Sequence, residues 1–369
     1  HGGEIVYVCG GMKRITLLLA TLLSVASARA EFYFFNSISS PNYPLLGVKG
    51  INNNGDLVGT AFDTAWRPVA FRYSGTTLSI YPSPGPSHST SAYGINNAGV
   101  IVGECDRTGS PQGSVEHAFY AAPGGSSIDF DSNFSRNSQA VAVTDNGYVV
   151  GSLFVNPGPS YSAQAFIGNT NGWILPLGST LGTSFVANGL NNTLVIVGNG
   201  PFGGETYNAI NGTISYMGYA LGNNWTNQAA VINNNGVVAG KVGSQGYLWS
   251  NGTATYFGSN IAYISGININ GDVVGTLTNG HGFVYIHSDG HFLDLNTVVS
   301  SSVTSVWTLM DGVGINDHGV ITGQAQRPST QAEYPTYGPY VSVPFKLSPF
   351  ILIPIPRPIV SPVAVSKLN

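Results

Sequence analysis

Charge is what this sequence has least of. Asp, Glu, Lys and Arg make up 8% of its 369 residues, about a third of the roughly 25% usual in globular proteins. Thirteen are Lys or Arg, scattered singly apart from the adjacent Lys13 and Arg14, and the formal charge is −4. With no basic patch to neutralise a row of phosphates, nucleic acid is not the expected partner. Helical periodicity is missing too: no stretch keeps apolar residues at helical spacing for four turns, which argues against an α-helical or doubly wound α/β fold. Hydrophobic content is ordinary at 43%, so the low charge does not signal disorder, which combines low hydrophobicity with high charge. What replaces charge is glycine, 49 residues, or about 13% against roughly 7% in most proteins. Chain reversals are therefore dense.

Cysteine and long apolar runs are also scarce. The longest apolar segment follows Met12-Lys13-Arg14 and runs from Ile15 through Leu23 to Ser24-Val25-Ala26-Ser27-Ala28-Arg29-Ala30. It is far short of the ~20 residues that span a bilayer. A basic start, a short apolar stretch and an Ala-x-Ala end have the form of a secretory leader, with cleavage expected after Ala30. Residues 1–11 precede the initiator and are read as upstream sequence. Cleavage removes Cys9 and leaves Cys105 alone, so the exported chain forms no intramolecular disulfide and relies on its core. It would carry 16 acids and 10 bases, a charge of −6.

One phrase recurs seven times. It reads Gly50-Ile51-Asn52-Asn53-Asn54-Gly55-Asp56-Leu57-Val58-Gly59 in its first copy and Gly94-Ile95-Asn96-Asn97-Ala98-Gly99-Val100-Ile101-Val102-Gly103 in its second. Later copies begin at Val143, Leu190, Ile232, Ile267 and Ile315, which gives successive spacings of 44, 48, 47, 42, 35 and 48 residues. That is the period of a four-stranded propeller blade. The phrase itself is a hairpin: an apolar strand enters, Asn-x-x-Gly reverses the chain, and a β-branched pair leaves. The plain reading of each Asn and Gly is thus a turn. A second apolar strand follows most copies, as in Val69-Ala70-Phe71, His117-Ala118-Phe119, Gln164-Ala165-Phe166, Gly246-Tyr247-Leu248 and Gly282-Phe283-Val284. A further turn and short strand complete four strands per unit.

The phrase Ala-x-Gly-Ile-Asn-x-x-Gly-x-Val-Val-Gly followed by His-Ala-Phe resembles the bacterial probable extracellular repeat known as the HAF repeat. The second copy fits best, with Ala92-Tyr93-Gly94-Ile95-Asn96 and His117-Ala118-Phe119. Copies four and seven depart from it, with Asn208-Ala209-Ile210 and Val343-Pro344-Phe345 aligned to His-Ala-Phe. The resemblance implies an exported β-repeat protein and supplies no catalytic residues.

The expected fold is therefore all-β, a ring of seven four-stranded blades over residues 31–347, after a leader at 1–30 and before a Pro-rich tail at 348–369. A closed ring is favoured over an open solenoid because no polar capping unit stands at either end. The strand Glu31 to Ser37 is expected to complete the last blade beside Tyr340 to Val343, hiding both edges. If the Asn-x-x-Gly turns share one face, the loops between second and third strands share the other. Counted from each closing Gly to the second residue of the next strand, these loops run 11, 15, 14, 11, 7, 7 and 21 residues. Blades seven, one, two and three would raise a wall, with a low rim at blades five and six. The wall carries Trp66, Arg67, Asp106, Arg107, Glu116, Tyr161, Arg327, Glu333, Tyr334 and Tyr337. Aromatics mixed with sparse charges suit a glycan or a protein surface.

Enzymatic and metal motifs are sparse. Residues 31–345 hold five arginines and no Ser-x-Asp-x-Gly-x-x-Trp box, which argues against a sialidase-like hydrolase. Asn268-Ile269-Asn270-Gly271-Asp272 has the oxygen spacing of a calcium turn without its usual carboxylates. His287 and His291 flank a short turn where two imidazoles would hold a metal only by facing each other. No cofactor motif, Gly-x-Ser-x-Gly elbow, Walker loop or CxxC pair occurs. Two functional classes follow: an exported, monomeric, non-catalytic protein binding a glycan or protein, or a hydrolase or lyase of extracellular polysaccharide using wall acids such as Asp106, Glu116 and Glu333.

Overall fold

A computed structural model describes residues 33–40, 43, 45–62, 67–85, 89–106, 115–130, 137–155, 162–182, 184–224, 226–328 and 345–355. The chain is a seven-bladed β-propeller. Blade one is an antiparallel meander of Leu45–Ile51, Leu57–Phe62, Pro68–Ser74 and Thr77–Tyr81. Blades two to six repeat it, starting with the inner strands Thr90–Ile95, Asn137–Val143, Val186–Leu190, Gln228–Ile232 and Ile261–Ile267. Two four-residue α-helices, Gly178–Leu181 and Ser301–Thr304, are the α-helices among the described residues. No helix there is long and apolar enough to cross a membrane.

The second strand of each blade is apolar on both sides because blades stack face to face. Leu57 and Val58 are adjacent and both fully buried. Leu57 packs with Val313 and Ile351 of blade seven, while Val58 packs with Ala92 and Phe119 of blade two. Strand alternation thus turns one Leu-Val pair into two interfaces. Behind each pair lies the closing Gly of the phrase, which needs no unusual φ. Instead its neighbour strand comes too near for a side chain: a Cβ on Gly59 would sit 1.9 Å from the Gly47 carbonyl oxygen, and one on Gly103 1.9 Å from that of Ser91. A bulge on the inner strand causes this approach, since register shifts at Val48/Gly50, Ala92/Gly94, Ala140/Ala142, Ala187/Gly189, Ala229/Val231 and Ile264/Gly266.

An aromatic ring faces the closing Gly across the next strand in six blades: Phe71, Phe119, Phe166, Tyr247, Phe283 and Phe350. This register corrects two alignments. In blade four the partner of Gly198 is Glu205, not Ile210, and the missing ring is supplied by Phe185, which crowds Gly198 instead. In blade seven the partner of Gly323 is Phe350, so Ser348-Pro349-Phe350 stands where Val343-Pro344-Phe345 was aligned. The His of the phrase also gains a reason. His117 Nδ1 reaches Asp129 at 2.9 Å, and His281 Nδ1 reaches Asp294 at 2.7 Å, each tying a third strand to the outer one.

The ring closes as a clasp, with a partner other than the expected one. Tyr33–Ser37 forms the outer strand of blade seven, antiparallel to Phe345–Pro354, which in turn pairs with Ile321–Pro328. The segment Tyr340 to Val343 lies outside the described residues. Residues 348–354, read as a loose Pro-rich tail, are a core strand instead, with Phe350 and Leu352 fully buried. Pro349 fits because blade seven takes its bond from the carbonyl side, Ile38 N–H donating to Pro349 O at 2.9 Å.

Candidate functional site

The seven turns of the repeated phrase converge around one mouth of the central channel, where they line a cavity of about 180 Å³ together with Ile51, Ile95, Val143, Leu190, Ile232, Ile267 and Ile315. Each leading Asn works at both ends. Asn52 Oδ1 accepts from Asn54 N–H at 3.0 Å and Asp56 N–H at 2.9 Å, which shapes its own turn. Asn52 Nδ2 donates to the Asn96 carbonyl of the next blade at 3.0 Å. The same donation runs from Asn96 to Thr144, Asn191 to Asn233, Asn233 to Asn268, and Asn316 back to Asn52. The series skips blade three, where Thr144 has no amide, and blade six, where Asn268 Nδ2 turns to Asp272.

A second ring sits beside the first. The backbone N–H of each next residue donates to the side chain of its neighbour: Asn53 to Asn97, Asn97 to Asp145, Asp145 to Asn192, Asn192 to Asn234, Ile269 to Asp317, and Asp317 to Asn53. The turn reading of these asparagines holds, but it missed their bonds to the next blade. A signal was present, because a turn alone needs an acceptor and Asp would serve, whereas Asn leads six of the seven copies. The turn Gly has positive φ in six blades; blade four holds Leu194 at φ 60° instead. Asn268 spends its side-chain oxygen on the N–H groups of Asn270 and Asp272, as a turn. His291 is in register with Ile286 rather than His287, and its Nδ1 contacts Asp289 at 3.1 Å.

On the side of the inner strands away from the turns, the bulged residues Asn188, Ala230 and Ser265 line a second cavity, and the bulged positions of blades one to three are Lys49, Tyr93 and Val141. Of the ten wall residues, Trp66, Arg107, Tyr161, Glu333, Tyr334 and Tyr337 lie outside the described residues. Arg67 is exposed at the head of a third strand. Arg327 stacks over Trp307, 5.3 Å from its ring centre. Asp106 and Glu116 are brought together as register partners in blade two. Beside them is an acid the sequence reading passed over: Glu104, which accepts a hydrogen bond from Tyr93 Oη. Burial pushes the Glu104 carboxyl above its usual range and the Glu116 charge adds to this, against the Tyr93 bond. Burial also raises the Tyr93 phenol, with help from Glu104 and Glu116.

Across the channel lies a cleft of about 350 Å³ over blades four to six. With Glu205 in the aromatic position, the loop of blade four shortens to six residues, so the low rim spans three blades rather than two. Gln228 and Lys241 are register partners on its wall. Lys241 Nζ lies 5.9 Å from the ring centre of Tyr263, which is 68% exposed. Asn188 and Asn199 are pinned at the blade four to five junction, both donating to the Ala229 carbonyl, at 2.8 and 3.2 Å. Three residues past Asn199, Phe202 begins an exposed aromatic run, 5.7 Å from Tyr216, which is 6.5 Å from Tyr219.

No protein-family model matches the sequence, and no curated protein matches it. Solved structures do. A structure of YCF48 bound to a D1 peptide is 11% identical with a TM-score of 0.49, covering 89% of this chain and 97% of that one. The extracellular domain of the hybrid two-component system BT4673 from B. thetaiotaomicron is 9% identical with a TM-score of 0.48, over 86% of this chain and 40% of that one.

Proposed function

We propose that this protein is an exported, monomeric, non-catalytic binding propeller of the HAF-repeat type, holding a glycan or protein ligand at the mouth opposite the asparagine turns. The carrying observation is the different use of side chains at the two mouths. At the turn mouth the amides are occupied by neighbouring blades. At the other, the side chains of Lys241 and Tyr263 make no hydrogen bond, ion pair or ring contact except with each other among the described residues, in a cleft within the size range of ligand sites. Export is supported by the leader pattern of residues 12–30. The test is a screen of the purified chain against glycans and extracellular proteins beside the Tyr263→Ala variant. Binding that vanishes in a variant of unchanged melting temperature is expected, and binding indifferent to Tyr263 defeats the reading.

A second reading has its own support. Burial raises the Glu104 carboxyl above its usual range and Glu116 lies close enough to add to this, and two neighbouring carboxyl groups are what a polysaccharide hydrolase or lyase uses as acid and base. Release of reducing ends or unsaturated sugars that disappears in Glu104→Gln would establish it.

A further inference from the structure

The cleft over blades four to six has a chemistry of its own. Its polar lining is made of amides, a hydroxyl, one ammonium group and one exposed phenol ring, with no carboxylate. Among the described residues the side chains of Gln228 and Ser265 bond to no protein group, and Lys241 has no acidic partner. An ammonium without a counter-ion beside free amide and hydroxyl groups suits a ligand that brings its own anion and many hydroxyls. The Tyr263 ring has Lys241 near it and is otherwise exposed, offering a flat surface for the C–H face of a sugar ring. The apolar part of the lining is aliphatic, Ala229, Ala230, Val231 and Ile264, so Tyr263 is its one aromatic surface.

We infer that this cleft binds a carboxylate-bearing glycan, a uronate chain, with Tyr263 stacking on one sugar and Lys241 pairing with its carboxylate. The inference rests on the binding-propeller reading and names its ligand class. Gln228 and Ser265 meet the sugar hydroxyls.

Calorimetric titration of the full chain with tetragalacturonic acid, cellotetraose and a tetraglutamate peptide tests it. Tetragalacturonic acid is expected to bind, with affinity falling as salt rises. Tyr263→Ala and Lys241→Gln should each weaken it at least tenfold without moving the melting temperature, as both side chains reach solvent. Cellotetraose should bind weakly and equally to wild type and Lys241→Gln. If cellotetraose or tetraglutamate binds best and Tyr263→Ala abolishes that, the uronate inference falls while the binding reading stands. If none of the three responds to Tyr263→Ala, the inference falls, and the broader screen decides the binding reading.

Discussion

At the mouth formed by the turns, Asn leads six of seven blades; further along the same inner strands, the bulged position reads Lys49, Tyr93, Val141, Asn188, Ala230 and Ser265, the last three lining the cleft. The difference follows from what each residue touches. In five of the six blades that have one, the leading Asn bonds both its own turn and the next blade, so both ends of its side chain are fixed by neighbours of the same kind. A bulged residue is left out of the ladder, and its side chain finds a different partner in each blade: Tyr93 bonds Glu104, and Asn188 the Ala229 carbonyl of the next blade. Repetition is therefore spent on holding the ring together, and variation collects where a ligand can read it. The comparison can be broken by opening the ring, by damaging one mouth, or by repairing it.

Opening the ring should have the largest effect. Deleting residues 33–37 removes a five-pair ladder, the buried Tyr33 and the contacts of Phe35 with Trp307 and Phe350. A loss of about 3 kcal/mol or more is expected from the buried aromatics alone. Truncation before Phe350 should cost as much, since it removes the strand between. Denaturant unfolding would measure both, and a cheap deletion of either strand would mean that the ring does not depend on its clasp.

Next in size is damage to the turn mouth alone. Asn96→Asp keeps the acceptor for Val100 N–H but replaces the donor to the Thr144 carbonyl with a buried negative charge. A destabilisation of about 2 kcal/mol is expected. Asn54→Ala, which removes an exposed bond to Asn97, should cost well under half of that. Equal losses would show that the amide ring is ordinary turn chemistry and that the two mouths do not differ in kind. Ligand affinity of the folded fraction should be unchanged by either.

Much of this was legible in the sequence because closure repeats. The phrase gave blade number, strand count and turn chemistry, since each copy must satisfy the same neighbours. Legibility failed where one blade solves the shared problem differently. Blade four hides its third strand, because Glu205 replaces the aromatic residue and Phe185 fills the gap from an earlier loop. Blade seven hides its third strand behind Pro349 and Pro354, which read as strand breakers until the donor from Ile38 and the clasp are seen. The cleft was missed for another reason. Lys241 and Tyr263 are 22 residues apart on different blades, and nothing in the repeat marks either as exposed.

Glu205 tests what that irregular blade costs. It is 3% exposed and one carboxylate oxygen has no hydrogen-bond partner. Burial raises its carboxyl above the usual range, against a bond from the Phe202 backbone. In the unfolded chain the group ionises near about pH 4.3. Above that pH the unfolded state gains from ionising while the folded state resists it, so Glu205 subtracts stability; below it both states are protonated and the effect disappears. Glu205→Gln should therefore stabilise the protein at neutral pH, and the gain should vanish in acid. A gain that persists unchanged at low pH would assign the effect to packing rather than ionisation.

The smallest expected effect repairs the second ring. In every other blade the residue after the leading position carries a side-chain oxygen, but blade six has Ile269 there, and the Asn234 backbone N–H has no partner among the described residues. Ile269→Asn supplies the missing acceptor at the register where Asn234 serves Asn192. The site is partly exposed, so the new bond replaces one to water and should add only about 0.5 kcal/mol. The bond from Asn235 Nδ2 to the residue 269 carbonyl, now 3.1 Å, is backbone-directed and should survive. Slowed amide exchange at Asn234 would report the repair even where the stability change is near the error of unfolding. Unchanged exchange would mean that the ring is set by each blade's own turn, and that the likeness of its members is a product of repetition rather than of contact.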